Sequence, residues 1–525
     1  MAEIAGAAEE GSALELGART ARMASFILAS KVLSFAFLAA SFIVVTRLLG
    51  PSVYGIYVVA AAVVGTFGSF GSFGIATALN KFGAEYITRK EHAKLGPLVS
   101  DGLAILLIAG AILMLLSIAL SVPIARYSLH NASLAYIIQI ISGSILASML
   151  FGAGYSVLIG VGRSMHAALV ITSGALFQAA ISIGLAVAGF GALAPAIGLV
   201  VGQAAGFLLA LYLITTSNLV GLVAPSIAGI RRMLKFSAPI ALSNMFGAVM
   251  SNASLIVLGL FATTFVLGNF GIASKVGYMF DIVFGSISLS LLPTFTATLA
   301  NSKLSHRAGE FFGYSVYLAF LLAAPLIFFV AILAKPVSFV AFSGVYTLAP
   351  LYLRITALGL LIYIAGSYAS TLMVSANKVK EVMKYNAVIA AVQLALLFVL
   401  VPEFGGIGLV VLMFIITPIV MGILFVRAIM RDFRAQLRIG RLIRVLAANL
   451  ISSVPAYLLG LFWGGEYIPL LITAAIAYIA VYPPVLVLVG GMSREDMDRI
   501  RSVSLRIPVV GDAIGLLLSY AGLLF

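Results

Sequence analysis

Two lysines, Lys31 and Lys275, stand deep inside long apolar stretches of this 525-residue chain, and charge so placed is its strongest chemical signal. A lysine or arginine at the centre of a membrane helix costs about 2.5–3.5 kcal/mol, so it tends to face a cavity or a partner. Lys31 lies roughly 13 Å and Lys275 roughly 16 Å into their stretches at 1.5 Å per residue, too deep to snorkel easily. Arg354 is about two turns from the end of its own stretch and can snorkel. Asp281 is the one acid deep in such a stretch, and it shares a helix with Lys275. Six residues at 100° set the two about 240° apart, so only a bend at Gly271, Gly277 or Gly285 would pair them. Asp281 either neutralises a lysine or holds a coupling cation or proton. The excess of fixed positive charge suits an anionic solute, a phosphate or pyrophosphate held as a point charge by lysine and as a fork by arginine. Asn244 and Asn252, with Gln139, Gln178, Gln203 and Gln393, are candidates to hydrogen-bond sugar hydroxyls or to bond helix to helix. Tyr155 and Tyr368 are either interface anchors or sugar platforms.

These side chains must be carried by membrane helices. Hydrophobic residues make up 62% of the chain and charged ones 9%, with a mean hydropathy of +1.18. A soluble domain carries about 25% charged residues, and its core could not hold this much apolar surface. There is no cysteine, hence no disulfide framework or thiolate metal site, and the four histidines are scattered. No phosphate-binding glycine loop, zinc-hydrolase or serine-hydrolase pattern occurs, so neither an enzyme nor a bound cofactor is expected. Glu3, Glu9, Glu10 and Glu15 precede the first apolar run, the reverse of a secretory leader.

Crossing a bilayer takes about 20 apolar residues. That rule predicts an all-α polytopic protein with spans near 22–47, 54–80, 98–121, 133–160, 166–188, 192–216, 236–261, 264–293, 311–334, 347–375, 384–401, 405–427, 444–463 and 467–490. With both termini cytoplasmic, 25 of the 31 Lys and Arg fall on the cytoplasmic side, three outside (Arg47, Arg126, Lys335) and three within spans. A miscounted helix would swap the sides beyond it and destroy this asymmetry. The net charge of +14 follows from the same bias plus attraction to anionic lipid headgroups, so no nucleic-acid partner is expected.

Helices one to six and seven to twelve read as copies. The pairs Gly55/Gly268, Tyr57/Phe270, Ala60/Ala273, Phe82/Phe295, Pro123/Pro336 and Tyr155/Tyr368 all differ by 213. Six helices per copy bring both copies into the membrane from the same side, which predicts two lobes with a substrate site between them. The expected organisation is a cytoplasmic segment 1–21, an N-lobe 22–216, a linker 217–235, a C-lobe 236–427, a basic loop with two extra helices 428–490, and a tail 491–525. Ser493 could cap a charged surface helix there, followed by an interfacial segment from Pro508.

The run Arg47-Leu48-Leu49-Gly50-Pro51-Ser52-Val53-Tyr54-Gly55-Ile56-Tyr57 reads as a hairpin in which Gly50 ends one helix and Pro51 starts the next. Gly50, Pro51 and Gly55 are therefore hinge candidates. This run resembles the opening signature of polysaccharide-biosynthesis flippases in the MATE/MOP superfamily. Ala78–Tyr86, Lys235–Ile240 and Phe404–Gly408 resemble later stretches of that family in the right order, and the likeness spans roughly residues 20–430. The resemblance implies a cationic cavity and alternating access that carries a polyprenyl-phosphate- or pyrophosphate-linked glycan to the outer leaflet of a prokaryotic cytoplasmic membrane. It also implies coupling to an ion gradient or membrane potential. Its expected partners are the lipid-linked glycan, membrane lipids and glycan-assembly enzymes. In related lipid II flippases, cations on helices one and eight contact the diphosphate, and Lys31 and Lys275 sit on the corresponding helices.

Two rivals remain. A cation-coupled drug exporter of the same superfamily would use an embedded acid in the N-lobe, whereas Glu85 and Asp101 there lie near span ends. A glycan polymerase or ligase would need a large outer loop, and every outer loop in this reading is short.

Overall fold

The computed structural model describes residues 2–71, 74–129, 131–216, 221, 223–300 and 307–498. Among them there is no strand, and ten helices are long and apolar enough to cross a membrane. Helices are what apolar runs form in lipid, where every backbone polar group must be satisfied within the segment, and several described connections, such as those after Gly160 and Val187, are short turns. In order they are α1 (Ala2–Gly71), α2 (Ile75–Thr88), α3 (Leu95–Pro123), α4 (Ser133–Gly160), α5 (Ser164–Val187), α6 (Leu193–Thr215), α7 (Ile227–Phe261) and α8 (Thr264–Ala300). Then come α9 (Ala308–Ile332), α10 (Ala334–Phe342), α11 (Ala349–Ser375), α12 (Val379–Val411), α13 (Thr417–Phe433), α14 (Ile439–Phe462) and α15 (Tyr467–Leu488).

Two of the longest helices are broken inside. Gly50 adopts φ 71° and ψ 171° within α1, and Gly405 adopts φ 55° and ψ −131° within α12. Positive φ is open to glycine without steric penalty, so each glycine ends one helical run and lets the next begin. At the first break Pro51 follows directly, where its missing N–H is no loss.

The chain divides into two compact units, the first ending at Gly268. In the first unit α6 packs against α5 and α4 along Gly198, Gly202 and Gly206, spaced four apart. A Cβ on Gly202 would lie 2.5 Å from the Gln178 Cβ, and one on Gly206 would lie 2.4 Å from the Phe151 ring. Small residues in this pattern let backbones approach closely, and close packing is what holds helices together in lipid. Gly202→Leu should therefore lose about 1–3 kcal/mol through overpacking. A thermal melt in detergent checks this, and an unchanged midpoint would refute the stripe.

The segment before α7 is fixed onto α3. Asp101, buried on α3, accepts from the Ser226 backbone N–H at 2.6 Å and faces its hydroxyl at 3.3 Å, while Ser100 Oγ accepts from the Val223 N–H at 3.0 Å. Ser226 also caps α7 by accepting from Gly229 N at 3.1 Å.

The second unit is built on aromatic and alanine-rich packing of α9, α11, α13, α14 and α15, with Phe312, Tyr317, Tyr368 and Phe425 fully buried. Ser493 and Asp496 cap one another: Ser493 N–H and Oγ donate to Asp496 Oδ2 at 3.1 and 2.6 Å, and Asp496 N–H donates to Ser493 Oγ at 3.3 Å. This is the reciprocal cap expected where Ser493 opens a helix. Arg441 binds Asp496 at 3.0 Å, and Tyr317 Oη donates to the Gly491 carbonyl at 2.8 Å, which anchors the start of that helix.

Candidate functional site

The first half of α1 buries a stripe of small hydroxyl residues, Ser30, Ser34 and Ser41, and Lys31 lies off that stripe with its side chain exposed. On α8 the buried face runs through Asn269, Phe270, Ala273 and Gly277, and Lys275 and Tyr278 are exposed beside it. Among the described residues neither lysine makes an ion pair. Arg354 is also exposed, near the start of α11. The side chains of Asp281 and Asn244 lie outside the described residues.

Asn252 is half-buried on α7, with its side-chain oxygen 3.0 Å from where a Cβ on Gly65 would stand. Gln139 donates to Ser121 Oγ at 3.0 Å, and Ser117 and Ser142 share a hydrogen bond of 2.8 Å, so these amide and hydroxyl groups tie α3 to α4. Tyr368 is buried in the second unit's core, which makes it a packing residue rather than a platform, whereas Tyr155 is half-buried.

The hinge candidates meet a close reciprocal contact inside the first unit. A Cβ on Gly55 would stand 1.8 Å from the Thr264 carbonyl oxygen, and one on Gly268 would stand 1.9 Å from that of Pro51. Residues 51 and 264, like 55 and 268, are 213 apart, so the contact obeys the offset of the repeat. Elsewhere in this unit two other stretches singled out in the sequence meet. Lys81 Nζ lies 4.3 Å above the Phe236 ring, and Phe82 packs on Phe236 at 5.1 Å.

Within the second unit a cavity of about 190 Å³ opens between α8, α11 and the chain around Pro418. Its walls include Ser274, Tyr278, Tyr363, Met413, Phe414 and Pro418. A π-helical turn, Leu412–Ile416, carries Phe414 into a notch left by two glycines. A Cβ on Gly359 would lie 1.9 Å from the Phe414 carbonyl oxygen, and one on Gly277 would lie 3.1 Å from its ring. Asn269 locks two of the walls together. It is fully buried on α8, and its Oδ1 accepts from the Leu348 and Ala349 N–H groups at 3.1 and 2.9 Å, capping α11 from outside. Asn269 is a positioning residue that sequence reasoning missed, because nothing local to it announces a partner 80 residues away. Lys275 is next to Ser274 on the α8 wall, whereas Arg354 projects from the opposite side of α11.

Among the described residues the protein is all-helical, with ten helices long and apolar enough to cross a membrane, and comparison with known proteins gives that architecture a family and a fold. Residues 21–299, more than half of the chain, match the family described as polysaccharide biosynthesis protein, and the chain belongs to that family. In fold it is similar to the lipid II flippase MurJ in an inward closed conformation, with a TM-score of 0.68 and 15% identity, covering 88% of this chain and 99% of that one. It is also similar to an inward-facing multidrug resistance MATE transporter of the MOP superfamily, with a TM-score of 0.65 and 16% identity over 76% of this chain and 95% of that one. A third likeness is a MOP superfamily transporter from Pyrococcus furiosus whose structure is described by the reverse polarity of its binding pocket, with a TM-score of 0.54, 15% identity and coverage of 79% and 96%. No curated protein matches the sequence. The resemblance drawn from the Gly50–Pro51 hairpin is thus borne out.

Proposed function

We propose that the protein flips a polyprenyl-phosphate- or pyrophosphate-linked oligosaccharide from the inner to the outer leaflet of the cytoplasmic membrane by alternating access, for the assembly of surface polysaccharide or glycoconjugate. The observation that carries this reading is the pair of exposed lysines, Lys31 on α1 and Lys275 on α8, in a member of the polysaccharide biosynthesis family. An anionic lipid headgroup crossing the bilayer needs fixed positive charge along its route, and lysine supplies it at the depth where it is scarcest. In this reading the chain crosses fourteen times with both termini cytoplasmic. The ten apolar helices provide the base, the breaks at Gly50 and Gly405 turn two of them into pairs, and α7 and α8 complete the set. Arg354 and Asn252 are secondary contacts for the substrate, Asp281 is a coupling group, and glycan-assembly enzymes are partners on the cytoplasmic side.

The test is transbilayer movement in sealed proteoliposomes. A fluorescent polyprenyl-pyrophosphate sugar should become exposed to a membrane-impermeant quencher only where the protein is present. If no such lipid moves while a cationic drug is exported against a proton or sodium gradient, the reading fails in favour of a drug exporter.

A further inference from the structure

We infer that the aromatic cavity of the second unit is a sugar-ring subsite, which receives the first pyranose of the substrate while Lys275 holds the adjoining phosphate. The inference rests on the proposed flippase function and names the part of the substrate that the cavity recognises.

Two observations, the lining of the cavity and the exposure of one of its rings, select this occupant. Tyr278, Tyr363 and Phe414 line the cavity, with Ser274 as a hydroxyl beside them, and Tyr278 is 58% exposed. An exposed tyrosine ring on the same helix surface as an exposed lysine is wetted for the same reason as the lysine, so the cavity draws its ligand from water. An acyl or prenyl chain gains little there, because it leaves lipid that is already as apolar as the cavity wall. The apolar CH face of a sugar ring does gain, since it leaves water for an aromatic surface. Mostly apolar walls with a few hydroxyls are also the usual make-up of a small-ligand pocket.

The cavity is also held in shape. Asn269 fixes α8 to the start of α11, and Gly277 and Gly359 admit Phe414 at backbone distance. The π-helical turn at Leu412–Ile416, a feature frequent at functional sites, supplies that phenylalanine. Lys275 is one residue from Ser274 and three from Tyr278, within a turn of the cavity wall. A phosphate on Lys275 therefore has its first sugar at the cavity mouth.

The experiment is binding calorimetry in detergent with two probes, farnesyl pyrophosphate and farnesyl pyrophosphate bearing one N-acetylglucosamine. Tyr278→Ala removes an exposed ring and leaves the packing alone. It should weaken the glycosylated probe about five- to tenfold and leave the bare probe unchanged, whereas Tyr278→Phe, which keeps the ring, should bind both like wild type. Lys275→Ala should weaken both probes. Equal weakening of the two probes by Tyr278→Ala, or no weakening of either, would overturn the sugar subsite and leave the flippase reading standing. Failure of both probes to bind the wild-type protein would overturn the flippase reading and the subsite with it.

Discussion

Replacing Lys31 and Lys275 together by alanine is expected to abolish flipping of a pyrophosphate-linked sugar lipid while the protein still folds. Both side chains are exposed, so truncation leaves no void, and among the described residues no ion pair is broken. In the proposed mechanism, what is lost is the charge that replaces water around an anionic headgroup. Hydrogen bonds to charged groups contribute about 1.5–3 kcal/mol each, which makes each single change about tenfold or more. With both charges gone the losses compound, and the double variant should fall near the background rate of the liposomes. Lys→Arg at either position keeps the charge and should retain most of the activity. Flipping rates in the quencher assay, with size-exclusion profiles to confirm folding, decide the matter. A double variant as fast as wild type would remove both lysines from the mechanism.

The second large effect concerns the reciprocal glycine contact. Gly55→Ala and Gly268→Ala should each destabilise the protein by about 1–3 kcal/mol or more, an unusual penalty for a single methyl group. The reason is what the methyl meets. Each Cβ would fall within 2 Å of a backbone carbonyl, that of Thr264 or of Pro51, and a backbone cannot step aside as a flexible side chain can. The second half of α1 and the start of α8 must then separate. Gly68→Ala is the control on the same helix: nothing lies within 4 Å of its Cβ, and alanine favours the helix by up to about 1 kcal/mol. Melting midpoints of the three variants should split accordingly. A second readout uses the absence of cysteine from the chain: a cysteine placed at exposed Ser52 should react faster with an impermeant maleimide when Gly55 or Gly268 carries a methyl. Equal midpoints and equal labelling would show that the contact gives way without cost.

Features whose cause is local were legible in the residues themselves. The Gly50–Pro51 break follows from φ freedom beside a residue without an N–H, and the Ser493 cap follows from a hydroxyl and a carboxylate three residues apart. The charged positions were legible because a mid-span lysine is costly wherever the helix goes. Features whose cause is distant were hidden. Tyr155 and Tyr368 match in the repeat, yet only the fold distinguishes the half-buried one from the core residue. Gln139 reads equally as a sugar ligand or an interhelical tie until Ser121 is seen beside it. The cavity of the second unit was invisible for the same reason. Its walls come from residues 274 to 418, and Phe414 enters it only through a π-helical turn that no spacing announces. One signal was readable and unused: Gly198, Gly202 and Gly206 at intervals of four mark a close helix contact in any apolar helix.

The hold of Asp101 on Ser226, with Ser100 on Val223, bears on whether this protein needs to be one polypeptide. The first turn of α7 is seated on α3 by hydrogen bonds whose buried acceptor would be left desolvated and unpaired if it left. Gly221, just before Val223, packs on α3 as well: a Cβ on Gly96 would stand 2.1 Å from its carbonyl oxygen. Separately translated chains 1–216 and 223–525 would keep both sides of these hydrogen bonds, and are expected to co-purify from one membrane. Asp101→Ala in the first of the two chains should then weaken their co-purification, because the acceptor that seats Ser226 is gone.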